Sequence, residues 1–445
     1  MTEPASSSSR RAARAVVACF AFAVVLLAWA APARAQLTIQ ITRGSNAPIP
    51  IAVVPFGSAV PSLPVDVAQV IENDLERTGR FQGLERAGML AKPTSAAEVD
   101  FTNWRLLKTD YLVVGRVVQS DGAWAIQFEL FNVLTGERLL GYNVPTGAPG
   151  LRNGAHRVAD MIHEKILGVR GAFATRVAYV AVQGAVPQRR YRLVVADADG
   201  ENARVIMESR EPIMSPAWSP DGQRLAYVSF EGQQASIFVQ TLRTGERERV
   251  SSRAGVNGAP AWSPDGRRLA LTLSQRDGNV DVYVLDLQTR EALRVTDDPA
   301  IDTEPAWTPD GRALYFTSDR AGRPQVYRIA LAAGEKPKRI TFEGPYNARP
   351  RVSPDGAQLV VVTLDQGAYR LAAIDVASGR SRVLTNGRLD EGPSFAPNGQ
   401  TVIYATRAGG RGVLATVSVD GSVTSRLTSD AGDVREPAWS PFPAP

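Results

Sequence analysis

The chain has 445 residues but only one cysteine and two histidines. The cysteine, Cys19, lies in an N-terminal apolar run expected to be removed, so the remaining chain has no thiol and can form neither a disulfide nor a cysteine metal site. About 410 residues are enough to be stable by burial alone. The histidines, His156 and His163, share one helical face but are too far apart to bind a single metal. His163-Glu164 opens like a zinc-protease motif, yet Leu167 stands where the second histidine must be. Both therefore read as solvated or domain-interface residues. There is no Gly-x-Ser-x-Gly elbow, no Walker loop and no dinucleotide fingerprint between a strand and a helix. A strong charge of either sign is missing too. The formal net charge is +5, and without residues 1–35 the balance is 46 basic to 44 acidic residues, or +2, which leaves no nucleic-acid footprint.

Nor does the chain contain an apolar run long enough to anchor it. Arg10, Arg11 and Arg14 precede an apolar stretch from Ala15 to Ala30, and Ala33-Arg34-Ala35 follows before Gln36. A spanning helix needs roughly 20 apolar residues, so residues 1–35 read as a cleavable secretory signal peptide. Ala12-Ala13-Arg14 lacks the apolar pair that twin-arginine export expects after Arg10-Arg11, which favours the Sec route. Export without cysteine fits a Gram-negative periplasm as well as a cell exterior.

Residues 36–48 form an N-terminal arm. Gln36, Leu37, Thr38, Ile39, Gln40, Ile41, Thr42 and Arg43 alternate apolar and polar as far as Ile41 and then give way to turn residues. Such a segment can add itself to a sheet edge, or it can be the first strand or a frayed end of the following domain. Residues 49–170 read as a small α/β domain. Strands are expected at 49–56 and 111–118, and at 123–131 and 138–142 after turns at Asp121-Gly122 and Thr135-Gly136. Helices are expected over 65–79 and 152–167, with a linker at 168–171.

What the chain has in abundance is a repeat. Ala-Trp-Ser-Pro-Asp-Gly occurs as Ala217 to Gly222 and again as Ala261 to Gly266, and it decays through Ala306 to Gly311, Arg351 to Gly356 and Ser394 to Gly399 to a truncated Ala438 to Pro441. The marker position falls at Trp218, Trp262, Trp307, Val352, Phe395 and Trp439, in steps of 43 to 45 residues. That period, with four short β-rich runs per step, is a propeller signature. The first unit, from Arg176, lacks its Trp strand, and the last unit is only that strand. Joining them completes a sixth blade and pairs otherwise exposed edges. The fold expected is an all-β six-bladed propeller of WD40-like repeats over 171–445, preceded by the α/β domain.

Just ahead of the Trp strands lie Asp302-Thr303-Glu304, Asp390-Glu391 and Asp433-Val434-Arg435-Glu436, and, in the same register, Met214-Ser215, Asn257-Gly258-Ala259 and Asn347-Ala348-Arg349. These positions should ring one mouth of the central channel, where apolar, small and charged residues suit recognition of a peptide better than a reaction. A carboxylate ring also suits calcium, although no spaced Asp loop is present. No catalytic residue is expected. The competing reading is a secreted propeller enzyme related to peptidases or lyases, which would need an acid, a base and usually a metal in one mouth; a periplasmic peptide- or glycan-binding protein is a third.

The order of signal peptide, α/β domain opening Ile51-Ala-Val-Val-Pro-Phe and Trp-Ser-Pro-Asp-Gly propeller resembles the TolB family of the Tol-Pal cell-envelope system. The likeness is carried by Gly171-Ala-Phe-Ala-Thr-Arg-Val-Ala-Tyr-Val, Met214-Ser-Pro-Ala-Trp-Ser-Pro-Asp-Gly, Thr317-Ser-Asp-Arg-Ala-Gly-Arg-Pro-Gln-Val-Tyr and Glu436-Pro-Ala-Trp-Ser-Pro. The resemblance implies a periplasmic, non-enzymatic adaptor in outer-membrane invagination during division and in envelope integrity, soluble and membrane-associated only through partners. The implied partner at the propeller mouth is the lipoprotein Pal, contacted by Met214, Ser215, Val256, Asn257, Ala259, Thr303, Glu304, Arg349, Glu391 and Glu436. Val256 stands where a family member carries histidine. Gln36 to Ala47 would bind TolA when released. Other outer-membrane lipoproteins and colicins are further partners the resemblance implies.

Overall fold

The structure, a computed structural model, describes residues 39–40, 47–60, 62–120, 123–274, 278–427 and 432–443, without the side chains of 39, 40 and 120. The expected signal peptide, most of the arm and the Asp121-Gly122 turn lie outside the described residues. Among the described residues no helix is long and apolar enough to cross a membrane.

The repeated Ser-Pro-Asp-Gly makes the same turn in successive units. Gly222 N donates to Ser219 O at 2.9 Å, Arg224 N donates to Ser219 Oγ at 2.9 Å, and Gly222 takes φ 64°, where a Cβ is disfavoured. Ser263 and Gly266 repeat the arrangement. Each turn links an innermost strand to the second of four antiparallel strands. Blade I is Ile213–Trp218, Arg224–Ser229, Ser236–Thr241 and Arg247–Ser251. Blade II runs Asn257–Trp262, Arg268–Ser274, Val280–Asp286, Ala292–Arg294, and blade III Asp302–Trp307, Ala313–Ser318, Gln325–Ala330, Lys338–Arg339. Blade IV is Asn347–Val352, Gln358–Asp365, Ala368–Asp375 and Ser381–Val383; blade V is Glu391–Phe395, Thr401–Ala408, Arg411–Ser418 and Thr424–Leu427.

Blade VI is built from both ends of the propeller sequence. The strand Asp433–Trp439 pairs antiparallel with Arg176–Gln183, followed outward by Arg190–Asp197 and Arg204–Ser209. Ser440 N donates to Arg176 O at 2.8 Å and Arg176 N to Ser440 Oγ at 2.9 Å, so the truncated last repeat closes the ring.

Tryptophan joins blade to blade. The indole Nε1 of Trp262 donates to Ala217 O at 3.1 Å, that of Trp307 to Ala261 O at 3.0 Å, and that of Trp218 to Ala438 O at 3.0 Å. Arg176, Arg224 and Arg268 lie over the rings of Trp218, Trp262 and Trp307 at 4.9, 4.5 and 4.9 Å. Each buried indole thus satisfies its donor on the neighbouring blade.

Ile39–Gln40 adds a fifth strand to blade V, antiparallel to Thr424–Leu427, with Ile39 opposite Ser425 and Gln40 opposite Thr424. Of the two readings of the arm, sheet-edge addition is the arrangement found for these two residues, and the sheet it joins is the propeller's.

The α/β domain carries a mixed sheet in the order Phe81–Gly83, Ile49–Val53, Tyr111–Ser120, Ala123–Asn132, Arg138–Thr146, the first three strands parallel and the rest antiparallel. Helix α1, Val67–Arg77, is N-capped by Asp66, whose carboxylate accepts from Gln69 N at 3.0 Å; a short α2 follows at Phe101–Leu106. Helix α3, Leu151–Leu167, ends at Gly168 in the left-handed conformation. Helices α1 and α3 bury Ile71, Leu75, Val158 and Ile162 against one sheet face, while Trp104 and Met89 cover the other beside Phe131. Several short elements have no counterpart in the sequence reading, among them Phe81–Gly83, α2 and the two-residue strand Gly57–Ser58. Phe81–Gly83 has three residues, too few for a periodic signal, and α2 is little more than one turn.

Candidate partner-binding site at the channel mouth

Aligning the six innermost strands on their marker residue exposes a rule. Two positions before it is always proline: Pro216, Pro260, Pro305, Pro350, Pro393 and Pro437. The residue ahead of each proline sits at positive φ: Ser215 at 51°, Ala259 at 44°, Glu304 at 55°, Arg349 at 54°, Gly392 at 61° and Glu436 at 54°. A register shift breaks the pairing with the second strand at the same place in every blade. Proline removes the N–H the ladder would use, and the bulge re-aims the side chain before it. Five of the six are not glycine, so the strain, about 1–3 kcal/mol each, is held by the surrounding ring.

Three of these side chains meet. Arg349 Nε lies 2.8 Å from Glu304 Oε1 on blade III, and its Nη2 lies 3.0 Å from Glu436 Oε2 on blade VI. Blades III and VI stand opposite one another, so one guanidinium from blade IV ties the two sides of the channel together. Glu304 Oε2 also accepts from Arg349 N at 2.9 Å and from Thr317 Oγ1 at 3.0 Å. Glu436 first, and then Glu304 and Glu391, raise the Arg349 pKa against the opposing effect of burial. Arg351 stands beside them in the position that Ala217, Ala261, Ala306 and Ala438 occupy elsewhere, and burial lowers its pKa.

Outside this bridge lies the open rim. Met214 and Val256 expose 40% and 42% of their surface. Thr303 and Glu391 precede the bulged residues of blades III and V, Thr303 sharing a 3.2 Å hydroxyl contact with Thr272 of blade II. Ser215 and Ala259 fill the bulged position in blades I and II with small side chains. The rim is therefore small and apolar on one side and charged on the other.

One step before these residues the sequence expectation needs correcting. Asn257, expected on the rim, is 2% exposed; its Nδ2 donates to Arg253 O at 2.6 Å and its Oδ1 accepts from Ser251 Oγ at 2.7 Å. Asn347, Asp302 and Asp390 occupy the same register in blades IV, III and V and are likewise buried. Asn347 Nδ2 binds Glu343 O at 2.8 Å, Asp302 pairs with Arg320 at 2.7 Å, and Asp390 accepts from Gly387 N at 3.1 Å. Asn257, Asn347 and Asp390 brace the loop that leads into their strand, whereas Asp302 is tied to the turn after the second strand of its blade. The physical reason is strand alternation: a residue two before the bulge points into the blade, and a polar side chain there must find its partners inside. Asp433 also turns aside, pairing with Arg435.

The histidines are far from the mouth. His156 and His163 on α3 are 1% and 6% exposed, so the solvated reading is wrong for both. His163 Nδ1 lies 2.7 Å from Val169 O, and burial lowers its pKa. His156 lies against the propeller, where Asp199 Oδ2 is 3.7 Å from its Nε2. Of the arm residues, Ile39 and Gln40 are on blade V; Gln36, Leu37, Thr38, Ile41, Thr42 and Arg43 lie outside the described residues. The bulge itself was missed in the sequence reading, although six Xaa-Pro pairs at one register are a visible signal.

Residues 37–139 match the family model described as TolB amino-terminal domain, and residues 163–443 match that of the TolB beta propeller domain. The chain is 56% identical over 414 residues to the Tol-Pal system protein TolB of Thioalkalivibrio sulfidiphilus, covering 92% of this chain and 95% of that one. It is 55% identical over 429 residues to the protein of the same name from Methylococcus capsulatus, covering 96% and 99%. The crystal structure of TolB from Acinetobacter baumannii superposes with a TM-score of 0.84 at 40% identity, over 92% of this chain and all of that one.

Proposed function

This chain belongs to the TolB family of Tol-Pal system proteins, and on that premise we propose that it is a periplasmic, non-enzymatic adaptor that binds the lipoprotein Pal at the channel mouth and TolA through its N-terminal arm. The observation that carries the mouth is the ring of left-handed bulges. Five non-glycine residues held in an unfavourable conformation at one register suit a surface that presents chosen side chains to a partner. Met214, Val256, Ala259 and Thr303 then form its contact face, with the Arg349 bridge as a rigid floor beneath.

The arm reading rests on the pairing of Ile39–Gln40 with the edge of blade V. A strand held by one edge is exchangeable: docked, it is withheld from TolA; released, it offers the same backbone groups to TolA. If the mouth and the edge are coupled, each ligand shifts the affinity of the other by the same factor. In this role the protein serves outer-membrane invagination during division and envelope integrity.

Deleting residues 36–47 separates the two sites. Titration calorimetry with purified TolA and with the soluble domain of the lipoprotein is expected to show TolA binding abolished and lipoprotein binding still measurable. Unchanged TolA affinity would remove the arm from the account. Turnover of a peptide or glycan by the intact chain would instead favour an enzyme.

A further inference from the structure

The seam between α3 and blade VI contains a buried imidazole between two carboxylates. His156 Nδ1 is 2.5 Å from Asp74 Oδ2 on α1, and its Nε2 faces Asp199 Oδ2 at 3.7 Å, in the turn after the Arg190–Asp197 strand. Arg152, one turn earlier on α3, pairs with Asp199 and lies 3.7 Å from Asp197. Arg77 of α1 holds the other oxygen of Asp74 at 3.0 Å. The ligand atoms of Asp74, His156 and Asp199 converge, but the two arginines already supply the positive charge a metal would bring.

We propose that His156 is a proton-operated latch between the α/β domain and the propeller, closed when the imidazole is charged and loosened when it is neutral. Only the charged ring carries N–H on both nitrogens, one hydrogen-bonded to Asp74 and the other turned towards the Asp199 carboxylate at ion-pair distance. Counted over the seam, Asp74, Asp197 and Asp199 then face Arg77, Arg152 and His156, and the charges cancel. Loss of the proton turns one ring nitrogen into a lone pair. It also leaves a buried cluster with a net negative charge at the place where α3 touches blade VI, which favours separation.

The carboxylates set the direction. Burial alone would lower the His156 pKa, but the charge and hydrogen bond of Asp74, and then the charge of Asp199, raise it above the ordinary imidazole value. The latch is therefore fully closed below that ordinary value and opens as pH rises through the higher folded value. Asp160, one turn further along α3, accepts from Phe173 N at 2.8 Å and from Ala174 N at 3.3 Å, and burial pushes its pKa up to about 7. Its ionisation adds negative charge on the same limb, so Asp160→Asn is needed to separate the two groups. At the far end of the seam, a Cβ on Gly79 would meet the Val423 side chain at 2.6 Å, directly before the edge strand Thr424–Leu427 that pairs with the arm. An opened seam therefore loosens the arm's dock, whichever partner the arm serves.

Lys165 and Arg243 are exposed, one on α3 and one on blade I. Spin labels at Lys165→Cys and Arg243→Cys, with Cys19→Ser in the full chain, report the domain separation by pulsed dipolar spectroscopy. The distance distribution is expected to broaden at least twofold between pH 6 and 9.5 with native His156, and to be broad and pH-independent in His156→Gln. A width that stays constant to pH 9.5 with native His156 overturns the latch, whatever the variant does. Asp160→Asn should leave the broadening in place; its disappearance would move the switch to Asp160 and likewise overturn the assignment.

Discussion

At the marker end of the innermost strands, Trp218, Trp262 and Trp307 all donate to the same carbonyl position one blade back; at the other end, the residues before proline are Ser215, Ala259, Glu304, Arg349, Gly392 and Glu436. In blades I to III the first end repeats its side chain, whereas blades IV and V place Val352 and Phe395 there; the other end repeats only its backbone, and does so in all six blades. Where an indole seals one blade against the one before it, packing favours the same aromatic residue. The bulge asks only for proline and a left-handed residue, which leaves the side chain free to vary. In this fold, uniformity marks the scaffold, and variation on a fixed backbone marks the surface that can be fitted to a partner.

Three substitutions test that contrast. Trp262→Ala removes a buried indole, its bond to Ala217 O and the ring under Arg224. A loss of about 3–5 kcal/mol in denaturant unfolding is expected. A loss under about 1 kcal/mol would mean that the blades are held together elsewhere. Arg349→Ala leaves Glu304 and Glu436 without their shared cation. Because the Arg349 and Glu304 side chains keep 19% and 21% of their surface exposed, the cost should sit at or below the lower end of the roughly 3–5 kcal/mol for breaking a buried pair. Adding Glu436→Ala should recover part of it, which a double-mutant cycle reads directly.

The scaffold end was legible in the sequence because Trp-Ser-Pro-Asp-Gly recurs at a nearly constant step, and the stranded copy at Ala438 to Pro441 showed how the ring closes. The mouth was legible only in part. Repeat register located Met214, Ala259, Thr303 and Arg349, but it could not separate side chains pointing into the channel from those pointing into the blade. That is why Asn257, Asn347, Asp302 and Asp390 looked like rim residues. Only strand alternation through the bulge divides them. The Arg349 bridge was hidden for another reason: its partners lie 45 and 87 residues away, joined by ring geometry alone. His156 was invisible as a latch because Asp74 and Asp199 come from different domains.

The central claim is that the mouth binds a protein partner through side chains the fold does not need. Thr303→Arg places a long cation on that rim while disturbing a single hydroxyl contact with Thr272. Calorimetric titration of the soluble domain of the lipoprotein into native and variant chains, with melting curves of both, is the direct test. The expected result is affinity weakened about tenfold or more, or about 1.4 kcal/mol, with a stability change of roughly 0.5 kcal/mol or less. Equal affinity in the two chains would contradict the account.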